Sequence, residues 1–270
     1  IVLLAEGKPV IVPCDALQGF KILPQQLEQY INKNTKWLML NSPSNPTGAV
    51  YSYDELKELA KILLKYPQIF ILSDDIYEKI LYDNVEFCTI ATVESKLKNR
   101  TVTMNGVSKV YCMTGWRFGY CGGPKEIIDG MNKIQSQSTT STSSISMAAA
   151  VEALNGNQDF IKTHNQQFLK RRDMVVEKLN NIAGITCDAP QGAFFVYPSC
   201  AGCIDKKTPD GETIRSDEDF MNYLLDSEGV AGVHGEAFGL SPYFRLSYAT
   251  DEQTLNDACD RIMRACTNLN

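Results

Sequence analysis

No apolar run in this sequence approaches the ~20 residues that a membrane-spanning helix requires. Cations are not in excess. The 26 Lys and Arg against 32 Asp and Glu give a net charge of −6, whereas a nucleic-acid surface needs clustered lysine and arginine to neutralise phosphates. No charged-then-apolar leader with a cleavage site stands at the start. Histidine is scarce, with 2 residues, and the 9 cysteines are scattered through a chain too large to need disulfide staples. Cys200-Ala-Gly-Cys203 is the one close pair and has the spacing of a redox or zinc half-site. No second pair or nearby histidine completes a metal set. The expectation is reduced thiols and a cytoplasmic setting, with no metal, no nucleic acid and no membrane.

What is present suffices for a sizeable core: 270 residues, 44% hydrophobic, forming one large domain or two unequal ones. The chain opens on Ile1-Val-Leu-Leu4 without a methionine, so a fragment or processed product is expected. Ile1–Leu4 and Lys8–Pro13 read as short strands around a Glu6-Gly7 turn, and Pro24–Asn32 as a short helix. Lys36–Asn41 has the length and apolarity of a strand buried on both faces of a parallel sheet. It breaks at the proline- and glycine-rich loop Ser42–Gly48. Ser52-Tyr-Asp-Glu55 is a capping box opening a helix with Leu56, Leu59, Ala60, Leu63 and Leu64 at helical spacing. Ile69–Ser73 is the next strand and ends in Asp74-Asp75.

Strand, helix, strand with polar strand ends is the pattern of an open α/β sheet, in which ligands sit beyond the carboxyl ends of the strands. Strands at 101–105 and 118–122 extend it. Gln135–Ser146 reads equally as a flexible linker or an ordered loop, leading into a helix at Met147–Leu154, and Asp159–Asn180 reads as a long helix. Beyond it, strands at Ile185–Cys187, Ala193–Pro198, Val230–Val233 and Tyr243–Tyr248 alternate with two helices, a smaller α+β unit. The last helix places Leu255, Ala258, Cys259, Ile262, Met263 and Cys266 on one stripe. The expected division is a large domain over 1–157, an interdomain helix over 158–181 and a small domain over 182–270. No internal repeat is seen.

Four strand-end features could converge: Asn45, Asp74 with Tyr77, Lys109 with Arg117, and Arg245. Each has an ordinary explanation. Asn-Pro is usually a turn, Asp-Asp after a strand is usually a cap or a solvated pair, and one lysine is usually a surface charge. Arg245 is less ordinary, because an unpaired arginine in an apolar strand costs desolvation and calls for an anion. Together they fit one chemistry. A lysine amine forms a Schiff base with pyridoxal phosphate, an aspartate favours the protonated pyridine ring, and arginines grip phosphate and carboxylate in bidentate forks.

Asn45-Pro-Thr-Gly48, Ser73-Asp-Asp-Ile-Tyr-Glu78, Ser108–Tyr120 with Lys109 and Arg117, and Phe244-Arg-Leu-Ser-Tyr248 resemble, in order and spacing, the class I/II aminotransferases. These are fold-type I pyridoxal-phosphate enzymes. Gly192–Pro198 and Gly235–Gly239 make the sequence most similar to the bacterial-type aspartate aminotransferase subgroup, and the resemblance covers essentially the whole chain. It implies an α/β fold with a large domain built on a mainly parallel seven-stranded sheet, a smaller α+β C-terminal domain and a homodimer. It implies Lys109 as the catalytic aldimine lysine and proton carrier, and Asp74 at the pyridine nitrogen. Tyr77 and Asn45 would bond the phenolic oxygen, Arg117 the phosphate, and Arg245, with Asn45, the substrate carboxylate. The implied reaction is ping-pong transamination between an L-amino acid, aspartate first, and 2-oxoglutarate.

Two departures from the resemblance stand out. Many relatives carry serine or threonine three residues before the lysine as a phosphate ligand, and here that position is Gly106. The resemblance also places Ile1 well inside the large domain. The expectation is that the chain as written lacks phosphate-cup, ring-stacking and cross-subunit residues and binds the cofactor weakly or not at all. The alternatives carried forward are an aromatic or prephenate aminotransferase of the same family, a pyridoxal-fold binding or regulatory protein without turnover, and an inactive truncated product.

Overall fold

The structure, a computed structural model, describes residues 1–270. Helix α1 (Pro24–Tyr30) leads into strand β1 (Trp37–Asn41). Ser52 then caps α2 (Tyr53–Leu64). Its Oγ accepts from the Glu55 N–H, and the Glu55 carboxylate accepts from the Ser52 N–H at 2.8 Å, the reciprocal bonds expected of a capping box. Strand β2 (Phe70–Asp74) lies parallel to β1, with Asn41 opposite Asp74. After the single-turn helix α3 (Ile90–Val93), β3 (Thr101–Gly106) runs parallel to β2, and β4 (Gly119–Gly122) returns antiparallel. The sheet order is β1-β2-β3-β4.

Helix α2 seals one face of this sheet. Leu56, Leu59, Ala60 and Leu63 are buried with Leu40, Ile69, Ile71 and Leu97. Burial alternates along β1 and β2, and Trp37, Met39 and Phe70 stay exposed on the other side. The expectation of strands buried on both faces therefore holds for one face only.

Helices α4 (Lys125–Gln137), α5 (Ser144–Asn155) and α6 (Asp159–Asn180) follow. The rest is built from β5 (Phe195–Val196), α7 (Asp217–Glu228), β6 (Val233–His234), β7 (Phe244–Ser247) and α8 (Glu252–Thr267). The strands form a small antiparallel sheet in the order β5-β7-β6. Its core joins Val175 and Leu179 of α6 to Phe220, Leu224, Phe244, Leu255 and Ile262. No helix is long and apolar enough to cross a membrane.

Several expected elements differ. Ile1–Leu4 and Lys8–Pro13 are not strands: Leu3–Ala5 is a 3-10 turn, and the second stretch pairs with no ladder. Ile185–Cys187 reduces to one bridge between Thr186 and Ser199. Residues 193–198 and 230–233 shrink to the two-residue strands β5 and β6, since each pairs with β7 over two positions. Gln135–Ser146 is no linker. It spans the end of α4, a short turn and the start of α5, where Ser143 Oγ accepts from the Ser146 N–H. On α8, Ala258 is only half-buried and Met263 is exposed, so the stripe is narrower than the spacing suggested.

Candidate active site

The three parallel strands end on one edge, and their polar termini meet there. Asn41, last in β1, donates from Nδ2 to the Asp74 carbonyl at 2.9 Å and accepts from the Asn45 N–H at 2.7 Å. One side chain thus ties the Asn45 loop to the end of β2. The loop is held from the other side by two glycines. The Gly192 N–H donates to the Gly48 carbonyl at 2.9 Å. A Cβ on Gly48, which has φ +68°, would stand 2.4 Å from Pro190 Cβ and 2.6 Å from the Gly192 carbonyl, so only glycine lets the backbones cross so closely.

Asp74 and Asp75 have opposite environments. Asp74 lies at the strand end, its Oδ1 accepting from the Ile76 N–H at 3.2 Å. Burial raises its pKa, while the Ile76 bond and the charge of Lys109 pull it down. Asp75 turns inward, accepting from Ser73 Oγ at 2.7 Å, and burial pushes its pKa up to about 6. Asp74 is the carboxylate of the pair that senses Lys109.

Lys109 follows β3, with Nζ 5.9 Å from the centre of the Tyr77 ring and 5.7 Å from that of Phe194. Tyr77 is buried edge-on to Phe194 and Phe195, with centroids at 5.5 and 5.9 Å. Its hydroxyl pKa is pushed up to about 12, chiefly by burial and further by Asp74, with Arg245 opposing.

Arg245 reaches in from β7. Its Nη1 donates to Asn45 Oδ1 at 2.8 Å, and its guanidinium carbon lies 4.8 Å from the Phe195 ring centre and 5.1 Å from that of Phe238. The flat cation between two rings keeps its edge available for a planar anion. Asn45 is its hydrogen-bond partner, and no carboxylate forms an ion pair with it.

Arg117 stands apart. It caps the 3-10 turn Thr114–Trp116 in the left-handed region at φ 51°, and its Nη1 donates to the Thr114 carbonyl at 2.8 Å. No hydrogen bond joins it to the other five residues. Gly106 has a packing explanation: a Cβ there would lie 3.0 Å from the Phe118 carbonyl and 3.3 Å from Gly119 Cα, so the β3–β4 pairing leaves little room for a hydroxyl side chain.

This edge gathers an amine, a carboxylate, a phenol, an amide and a guanidinium, a donor set suited to an anionic aromatic aldehyde. The family model for aminotransferase class I and II matches residues 1–262. The chain belongs to this aminotransferase family. It is 52% identical over 269 residues to the aspartate aminotransferase of Rhizobium meliloti, covering 100% of this chain and 66% of that protein. It is also 52% identical to the aspartate/prephenate aminotransferase of Cereibacter sphaeroides, covering 100% of this chain and 67% of that one. The crystal structure of the Rhizobium meliloti enzyme superposes with a TM-score of 0.97, over 100% of this chain and 67% of that chain. The chain thus spans about two thirds of the length of these relatives, and its fold is that of the fold-type I aminotransferases, a mainly parallel sheet flanked by helices.

Sequence reasoning gave no role to Phe194, Phe195 and Phe238, which line Lys109 and Arg245. The signal was available in the quoted stretches Gly192–Pro198 and Gly235–Gly239, but only the fold shows which cation each ring faces.

Proposed function

We propose that this chain carries the cofactor- and carboxylate-binding part of a pyridoxal-phosphate-dependent aminotransferase exchanging an amino group between aspartate and 2-oxoglutarate in ping-pong order. The observation that carries this reading is the meeting of Lys109, Asp74 and Tyr77 at one sheet edge with the Asn45–Arg245 pair. When bound, pyridoxal phosphate supplies an aldehyde carbon and a protonated ring that accepts electron density.

The chain's own residues do the rest. Lys109 Nζ supplies the amine and carries a proton to and from the substrate α-carbon. The Asp74 carboxylate would favour a protonated ring nitrogen by opposite charge. Tyr77 and Asn45 would bond the ring oxygen. Arg245 grips the α-carboxylate in a bidentate fork, with Asn45 fixing the guanidinium. Arg117 would bind the phosphate; only its Nη1 is engaged, by the Thr114 carbonyl.

The proposal includes a large domain over 1–157, an interdomain helix over 158–181, a small domain over 182–270, and a cytoplasmic homodimer. Exposed Met131 and Ile134 on α4 and Ile145, Met147 and Val151 on α5 support a covering partner.

Borohydride reduction of the chain incubated with pyridoxal phosphate tests the site, because reduction is irreversible and accumulates even a weakly populated adduct. Mass spectrometry should find the pyridoxyl group on Lys109; preferential labelling of another lysine overturns the assignment. A second reading, prephenate or an aromatic amino acid as substrate, is favoured by the name of the Cereibacter sphaeroides relative and by Arg245 addressing only a carboxylate common to all these substrates. Catalytic efficiencies on aspartate, phenylalanine and prephenate separate the two.

A further inference from the structure

Cys200 and Cys203 take no part in the candidate site, and the fold gives Cys203 a partner that the sequence spacing did not. The two cysteines bracket the 3-10 turn Ala201–Cys203, but Cys200 Sγ turns to the Pro242 carbonyl at 3.6 Å. Cys203 Sγ instead lies 3.9 Å from Cys266 Sγ, in the last turn of α8. No cluster of His, Cys, Asp or Glu is placed to hold a metal there.

We propose that Cys203 and Cys266 form a peroxide-oxidisable dithiol that closes to a disulfide, tying the end of α8 to the turn at 201–203. The sulfurs come from elements 63 residues apart in sequence, so their contact is set by tertiary packing. Closing 3.9 Å to the ~2.05 Å bond length needs small side-chain rotations between thiols already in contact. Both thiols are buried, and the neighbouring Ala201 and Gly202 are exposed. Cys266 sits in the last turn of α8, with Thr267 and Asn268 exposed beyond it.

The Cys203–Cys266 contact lets one sulfur donate to the other, and Lys206 favours the thiolate form of both. The first thiolate attacks one peroxide oxygen, the O–O bond breaks, and sulfenic acid and hydroxide form. The second sulfur then attacks the sulfenic sulfur, the S–O bond breaks and, with the thiol proton, water leaves. Two thiols and one hydrogen peroxide give one disulfide and two waters. The tie would reinforce the existing clasp in which Asn270 and Lys207 exchange backbone hydrogen bonds of 2.8 and 2.9 Å.

The test treats the full chain with hydrogen peroxide, alkylates the remaining thiols and digests with trypsin without reduction. Residues 265–270 should become linked to residues 179–206, the peptide holding Cys187, Cys200 and Cys203. Fragment spectra should place the link on Cys203, and reductant should release it. Cys200→Ser should keep the linked species and Cys203→Ser should lose it. Assigning the link in the wild-type chain keeps the test valid should a variant fold poorly. A Cys200–Cys203 disulfide, a link to Cys200 or Cys187, or alkylatable Cys203 and Cys266 after exposed Cys112 is fully oxidised would each overturn the proposal.

Discussion

Arg245 and Asn45, 200 residues apart, meet across 2.8 Å, the guanidinium of one donating to the amide oxygen of the other. The pair joins the small antiparallel sheet to the loop after the first parallel strand. Arg245→Lys should weaken dicarboxylate binding about 10²-fold, on the order of 3 kcal/mol, because an ammonium cannot make a bidentate fork. Calorimetry in a saturating excess of pyridoxal phosphate measures this. In a double-mutant cycle with Asn45→Ala, a coupling of about 1 kcal/mol is expected, and additive losses would mean that the contact positions nothing.

Asp75 should report on acid pH. Its folded pKa, pushed up to about 6, lies above the unfolded carboxylate value, so the folded state binds more protons between about pH 4 and pH 6. Stability should therefore fall as pH rises through that window, by roughly 2–3 kcal/mol. Asp75→Asn, which cannot ionise, should flatten this slope in urea denaturation at several pH values. An unchanged slope would show that the carboxylate ionises freely in place.

Gly48→Ala should cost at least about 2–3 kcal/mol, combining left-handed strain with overpacking. Its Cβ would press on Pro190 and on the Gly192 carbonyl, neither a flexible side-chain end. Denaturant midpoints measure the loss, and carboxylate affinity should fall with it because the Asn45 loop shifts. A neutral effect would mean that the seam is loose.

Arg172 on α6 is 5% exposed. It holds Asp83 in a two-pronged pair, bonds Asp173 at 2.8 Å and donates to the Pro190 carbonyl at 3.0 Å. Arg172→Ala should cost roughly 2–3 kcal/mol, from the lost packing and the orphaned carbonyl. The partly exposed aspartates rehydrate and add little. Arg172 holds the Asp83 carboxyl below its ordinary value. That contribution is present above the unfolded carboxylate pKa and is lost as pH falls through the lowered folded value, so the wild-type advantage should shrink in acid.

Much of this was legible before any coordinate. The Ser52–Glu55 capping box, the helix Asp159–Asn180 and the apolar strands β1 and β2 follow from local chemistry and periodicity, which act within a few residues. Helix α4 was equally legible, since Ile127, Ile128, Met131 and Ile134 recur at helical spacing, yet its nearness to a serine-rich stretch hid it. The expected strands at Lys8–Pro13 and Ile185–Cys187 had suitable residues but no ladder, and pairing is a property of two segments.

The sequence by itself determined the family, because Lys109, Asp74, Tyr77, Asn45, Arg117 and Arg245 stand in motifs whose order and spacing are written in the chain. Only the tertiary structure decided which groups meet. It left Asp74 at the strand end, within the field of Lys109, and turned Asp75 into the interior, set Arg245 between Phe195 and Phe238, left Arg117 on Thr114, and matched Cys203 with Cys266 rather than Cys200. Each depends on packing between segments far apart in sequence, whose contact distances no local spacing encodes.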